Sequence, residues 1–170
     1  NHRQLLENIL KEAGIKAECY SEVILSLDKL DKIGQTAVAK ELNQKGFTYP
    51  VIDNIFARLN QTALDSREEI TGSEELQELQ SYLNNLGIEE NTQFNPALAR
   101  GLDIYTGTVF EVFLKNSSIT SSIASGGRYD RIIGNFLGDE TDYPAVGMSF
   151  GLDVIFQALL EQGAAGQTNI

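Results

Sequence analysis

Apolar residues recur at helical spacing through the first half of the chain. Leu5, Leu6, Ile9 and Leu10 predict a helix over Arg3 to Ala13, with Gly14 as its stop. Ser21 with Glu22 can open a second helix through Leu25, Leu27, Leu30 and Ile33, until Gly34 breaks the pattern. Val38 and Leu42 mark a short helix stopped at Gly46. Pro50 suits the first turn of the next, whose apolar face is Val51, Ile52, Ile55, Phe56 and Leu59. Asp65 to Thr71 is polar and reads as a loop. Ser73 followed by Glu74, Glu75 and Glu78 predicts a capped helix start, with acids near the positive end of the dipole. Leu76, Leu79, Tyr82, Leu83 and Leu86 carry that helix to Gly87.

From Thr92 the pattern changes: β-branched and aromatic residues rise and glycines cluster. Phe94 to Leu98 reads as a strand or its approach, and Thr108 to Leu114 as a strand. Lys115 to Ser118 is a turn, and Ser121 to Ala124 is the hairpin partner. A helix through Ile132, Ile133 and Phe136 follows, then an acidic loop, Gly138 to Tyr143. Pro144 to Phe150 is a strand, hinged at Gly151 into a helix, Leu152 to Leu160. The tail, 163–170, is small and polar and is expected to be disordered. Helices followed by a mainly antiparallel sheet with attached helices make an α+β pattern. The expected divisions are a helical segment, 1–90, a mixed segment, 91–162, and the tail.

Composition narrows the function. Of 170 residues, 42% are hydrophobic and 22% charged, as in an ordinary globular protein. One cysteine, Cys19, excludes an internal disulfide and a cysteine-rich zinc site, and fits a reducing cytoplasm. No stretch approaches the ~20 apolar residues of a membrane span, and Asn1-His2-Arg3-Gln4 carries no signal-peptide pattern, so a cytoplasmic location is expected. The net charge is -11, with nine Lys and Arg against 16 Asp and Glu up to Glu90, and four against eight beyond it. Neither part resembles a basic nucleic-acid-binding surface, so any such surface lies outside this chain.

The densest chemistry lies in Ala99 to Glu111, where Arg100, Gly101, Asp103, Tyr105 and Gly107 run straight into a strand. Core strands do not need an Arg and an Asp beside glycines; a polar pocket at the mouth of a sheet does. Two more glycine clusters follow, Gly126 to Asp130 and Gly147 to Asp153. None is a P-loop or a dinucleotide fingerprint, none is a serine-nucleophile elbow, and no His, Asp and Glu set has metal-ligand spacing. His2 is expected to be an exposed residue rather than a catalyst. What remains is a site for a small polar ligand. Arg100 can fork onto a carboxylate or phosphate, and Tyr105 and Tyr129 offer rings with polar tips. The same residues admit plainer readings: an Arg100–Asp103 bridge at a strand end, a local Arg128–Asp130 pair, and Tyr129 in the core. The alternating charges Asp28, Lys29, Asp31 and Lys32 read as a solvated helix face.

At these residues the sequence resembles the histidyl-tRNA synthetases. Arg100-Gly-Leu-Asp-Ile-Tyr105 resembles that family's Arg-Gly-Leu-Asp-Tyr-Tyr loop, Gly126 to Asp130 a second signature, and Pro144 to Asp153 the third class II synthetase motif. Asn1 to Ile9 and Cys19 to Ile33 resemble the segment before and within the family's helical insertion. The resemblance implies a helical insertion over 1–90 and the C-terminal half of an antiparallel class II catalytic domain over 91–162. It implies activation of histidine by ATP and transfer to tRNA(His). Arg100 would be the catalytic cation near the α-phosphate. Ile104, Tyr105, Gly127, Tyr129 and Gly147 would line the histidine pocket, and Arg100 and Gly151 would meet ATP. No metal ligand is implied; ATP would enter with Mg2+, nothing would be held tightly by this segment, and the full-length protein would be a homodimer. Two departures stand out: Ile104 replaces the first tyrosine of the loop, and Asp153-Val154 replaces the Glu-Arg of the third motif, whose arginine contacts ATP. The first two class II motifs and the anticodon domain would lie outside Asn1 to Ile170, so the segment is expected to be inactive by itself. The alternative is a non-charging paralogue that binds histidine as a regulator.

Overall fold

Helix α1 (Arg3–Glu12) forms where the stripe predicts it, with Leu5, Leu6, Ile9 and Leu10 buried. His2 caps it, its Nδ1 accepting from the Gln4 N–H at 3.1 Å. His2 is therefore not the exposed residue expected from sequence: it is 7% exposed, and it bridges Thr108 through the backbone. The computed structural model describes residues 1–65, 74–101, 104–161 and 163, and for 63–65 the backbone alone. Of the predicted loop Asp65 to Thr71, Asp65 is instead the last residue of a helix; the rest of that loop, 66–71, the Ser73 cap, Asp103 and the tail beyond Gly163 lie outside the described residues.

The second predicted helix is two pieces. Helix α2 (Tyr20–Leu27) ends early, because its buried residues are Val23, Ile24, Ser26 and Leu27 while Leu25 and Ile33 are exposed. Leu25 and Ile33 do not continue that stripe, whereas Leu30, half-buried, packs against the same core. Helix α3 (Leu30–Gln44) contains Gly34 at φ 78° and ψ 162°. That positive φ favours glycine and separates the turn at Leu30 from the helix proper. Helix α4 (Tyr49–Asp65) buries Ile52, Ile55, Phe56 and Leu59. In helix α5 (Glu74–Leu86) Leu76 is buried, while Tyr82 and Leu86 are exposed. These helices share one core with Ala99. Leu10, Ile24, Leu27, Leu42, Ile52 and Ile55 are fully enclosed there, each contributing about 1.5–3 kcal/mol by burial. Lys29 does not simply face solvent: it reaches both carboxylate oxygens of Glu41 on α3 at 2.8 Å.

Phe94 to Leu98 is not a strand. Asn95 and Pro96 make a turn, with the Leu98 N–H donating to the Asn95 carbonyl and the Asn95 side chain accepting from the Ala97 N–H at 2.9 Å. The chain divides into two compact units, Asn1–Val109 and Phe110–Ile170. The division falls within β1 (Val109–Val112), which is shorter than the predicted Thr108 to Leu114.

The second unit carries a three-stranded sheet of order β1-β2-β3. Strand β2 (Ala124–Arg128) starts where the predicted strand ends, so the glycine cluster that follows the predicted strand lies inside the sheet. It runs antiparallel to β3 (Val146–Phe150), with Gly126 opposite Met148 and Gly127 opposite Gly147. A Cβ at Gly126 would lie 2.0 Å from the Gly147 carbonyl oxygen, so the close pairing admits only glycine there. Helices α6 (Ile132–Leu137) and α7 (Leu152–Glu161) follow β2 and β3 as predicted. The whole is α+β. Among the described residues no helix is long and apolar enough to cross a membrane.

Candidate functional site

The Arg100 loop leaves the core at buried Ala99 and is tied at both ends to the start of α1. At its entry, the Asn1 side-chain amide donates to the carbonyls of Pro96 and Leu98, both at 2.8 Å. At its exit, the Arg3 N–H donates to the Gly107 carbonyl at 2.9 Å and the Val109 N–H to the Asn1 carbonyl at 2.8 Å. Between these ties Gly101 packs against the end of α2; a Cβ there would lie 3.2 Å from the Asp28 carboxylate and from Leu25. Ile104 and Tyr105 are half-buried.

Arg100 and Tyr105 line a small, shallow cleft with Arg3, together with the apolar residues Leu6, Ile24 and Val109. Arg3 is the residue that sequence reasoning missed. Its side chain is only 12% exposed, and its Nε donates to Glu7 at 2.8 Å. The available signal was its place at the first position of the first helix, beside a residue able to cap. Arg3 and Arg100 thus stand on one cleft whose exposed lining is mostly apolar, and the Arg3 Nε is already engaged by Glu7.

The other predicted residues belong to the second unit. Gly127 is buried in β2 opposite Gly147. The ring of Tyr129 lies across Gly147: a Cβ there would be 2.7 Å from the tyrosine Oη and 2.9 Å from Cε1. The room glycine opens at this point is filled by Tyr129, whose backbone N–H donates to the Ala145 carbonyl at 2.8 Å. Arg128 pairs with Asp130, its Nε donating to both carboxylate oxygens at 2.9 and 3.0 Å, so the plainer reading of that pair holds. The Gly151 N–H donates to the Ile123 carbonyl at 2.9 Å, and Val154 packs beside Gly151. Arg100, Ile104 and Tyr105 thus belong to the first unit, and Gly127, Tyr129, Gly147 and Gly151 to the second. Among the described residues no group of three or more His, Cys, Asp or Glu could hold a metal ion.

A family model described as histidyl-tRNA synthetase matches residues 1–155. The chain belongs to the histidyl-tRNA synthetase family. Within that family it is 51% identical to histidine–tRNA ligase 1 of Bacillus cereus, over 99% of this chain and 42% of that protein. The crystal structure of histidyl-tRNA synthetase from a Nostoc species matches it with a TM-score of 0.76 and 30% identity, over 96% of this chain and 42% of the other. An ATP phosphoribosyltransferase regulatory subunit/histidyl-tRNA synthetase from Bacillus halodurans shares the fold, with a TM-score of 0.68 at 19% identity. The chain spans about two fifths of the length of these histidyl-tRNA synthetase relatives.

Proposed function

We propose that the full-length protein is a histidine–tRNA ligase and that this chain supplies its helical insertion, 1–90, and the C-terminal half of its class II catalytic domain, 91–162. In the first step the histidine carboxylate attacks the α-phosphate of ATP, pyrophosphate leaves, and histidyl-adenylate forms. In the second a hydroxyl of tRNA(His) takes the histidyl group and AMP leaves. Arg100 is the catalytic cation that offsets charge on the α-phosphoryl group. Ile104, Tyr105, Gly127, Tyr129 and Gly147 line the histidine pocket, and Gly151 brings backbone to ATP, whose phosphates carry Mg2+ as part of the substrate. The protein works as a cytoplasmic homodimer. The observation that carries this reading is the Arg100 loop, clamped at both ends with its arginine on a mostly apolar cleft.

A second reading, a histidine-binding regulator that does not charge tRNA, is favoured by Val154 at the place of an ATP-contacting arginine. ATP–pyrophosphate exchange with histidine, on the full-length protein and its Arg100→Ala variant, separates the two. The ligase reading expects exchange that the substitution lowers by about 100-fold or more, the scale of one transition-state donor. Histidine binding without exchange would mean a regulator.

A further inference from the structure

A carboxylate from α5 sits at the exit of the Arg100 loop. Glu75 accepts from the Thr108 N–H at 3.1 Å and from the Thr108 hydroxyl. Its other oxygen lies 3.5 Å from His2 Nε2. Because His2 Nδ1 already accepts from the Gln4 N–H, the proton of the neutral ring sits on Nε2, toward Glu75. His2 also bridges Thr108 through the backbone, and Arg3 holds the neighbouring Gly107. None of Glu75, His2 and Thr108 lines the cleft, although His2 stands between Asn1 and Arg3 and Thr108 precedes Val109, and Asn1, Arg3 and Val109 do.

We propose that Glu75 is a positioning residue for Arg100. Through Thr108 it fixes the loop's exit, as Asn1 fixes its entry, and so sets where the guanidinium stands in the cleft. A charged acceptor holds its donors about twice as strongly as a neutral one. A misplacement of about 1 Å costs on the order of 100-fold in rate. The helical segment 1–90 thereby controls the geometry of the candidate catalytic loop. This inference rests on the ligase reading for its kinetic effect, though not for the contact itself.

The test is exchange kinetics on the full-length protein with single and double variants. Glu75→Ala is expected to lower the exchange kcat by about 10- to 100-fold, with KM for histidine and ATP within about threefold, because the loss is confined to the transition state. Glu75→Gln keeps an acceptor oxygen for Thr108 but loses the charge and turns an amide N–H toward His2 Nε2, so it is expected to restore only part of the rate lost in Glu75→Ala. Glu75→Ala combined with Arg100→Ala is expected to be no slower than Arg100→Ala alone. An unchanged kcat in Glu75→Ala, or a double variant slower by the full single-variant factor, overturns the proposal. Should Glu75→Ala not fold, Thr108→Val removes the hydroxyl half of the contact; a loss of about threefold or more supports the proposal, and none overturns it. Amide hydrogen exchange over 104–109 needs no activity. Glu75→Ala should speed exchange there while leaving α4 protected, and an equally protected loop overturns the proposal. If the unaltered protein shows no pyrophosphate exchange, the ligase reading fails while hydrogen exchange still decides whether Glu75 holds the loop.

Discussion

Glu41 shows how far neighbours can set one residue's chemistry. The hydrogen bond from Lys29 pulls its pKa down, partial burial opposes, and bonds from Ser26 and Lys45 pull it further, to about 2. The unfolded value is about 4.3, so the carboxylate's contribution is fully present above that pH and is lost as pH falls toward 2. At pH 7, Glu41→Gln should lower stability by about 1 kcal/mol. The difference between variant and parent should shrink between pH 5 and pH 2 in thermal melts; a constant difference would sink the idea. The residue types at such clusters are legible in sequence, but their partners are not. Lys29 reads as one of a run of alternating charges, and its true partner, Glu41, lies further along the chain in α3, past the break at Gly34. His2 reads as an exposed terminal residue because a cap and a bridge to Thr108 are contacts the linear chain does not display.

At the scale of elements, the glycines of β2 decide the sheet. Gly126 faces the Gly147 carbonyl and Met148 Cα of β3 so closely that a Cβ would be 2.0 and 2.9 Å away. Both obstacles are backbone, which has no rotamer to yield. Gly126→Ala should therefore destabilise the fold by about 3 kcal/mol, at the upper end of ordinary overpacking. A denaturation midpoint corresponding to less than about 1 kcal/mol would mean that β2 and β3 separate more easily than their register implies. Helices α1 and α4 are legible in the sequence, since each buried stripe repeats at the helical period. Strand β2 is not legible where it lies, because Ala-Ser-Gly-Gly-Arg has no β-branched residue to announce it. Phe94 to Leu98 looks like a strand for the opposite reason: it carries apolar residues, but Phe94 and Ala97 pack onto a helical core through a turn.

At the scale of the molecule, charge and coverage matter most. A chain of net charge -11 repels a polyanion, since phosphate binding depends on Lys and Arg that release counterions. This segment alone should bind tRNA more weakly than about 100 µM at physiological salt. Filter binding that found tight, salt-dependent retention would place a tRNA surface within these residues. In the second unit, Val146, Met148 and Phe150 alternate along β3 and are all exposed, so one face of that strand presents a row of apolar side chains.

By itself the sequence determined the α+β order, the helical stripes, the Arg100 loop and the family, because periodicity and contiguous signatures are local properties of the chain. The tertiary structure alone decided that Asn1, Arg3 and Glu75 hold that loop, that Arg3 shares the cleft with Arg100, and that Tyr129 fills the space over Gly147. Each of these joins residues far apart in the chain, and such contacts exist only once the core has closed and fixed which backbone groups face which side chains.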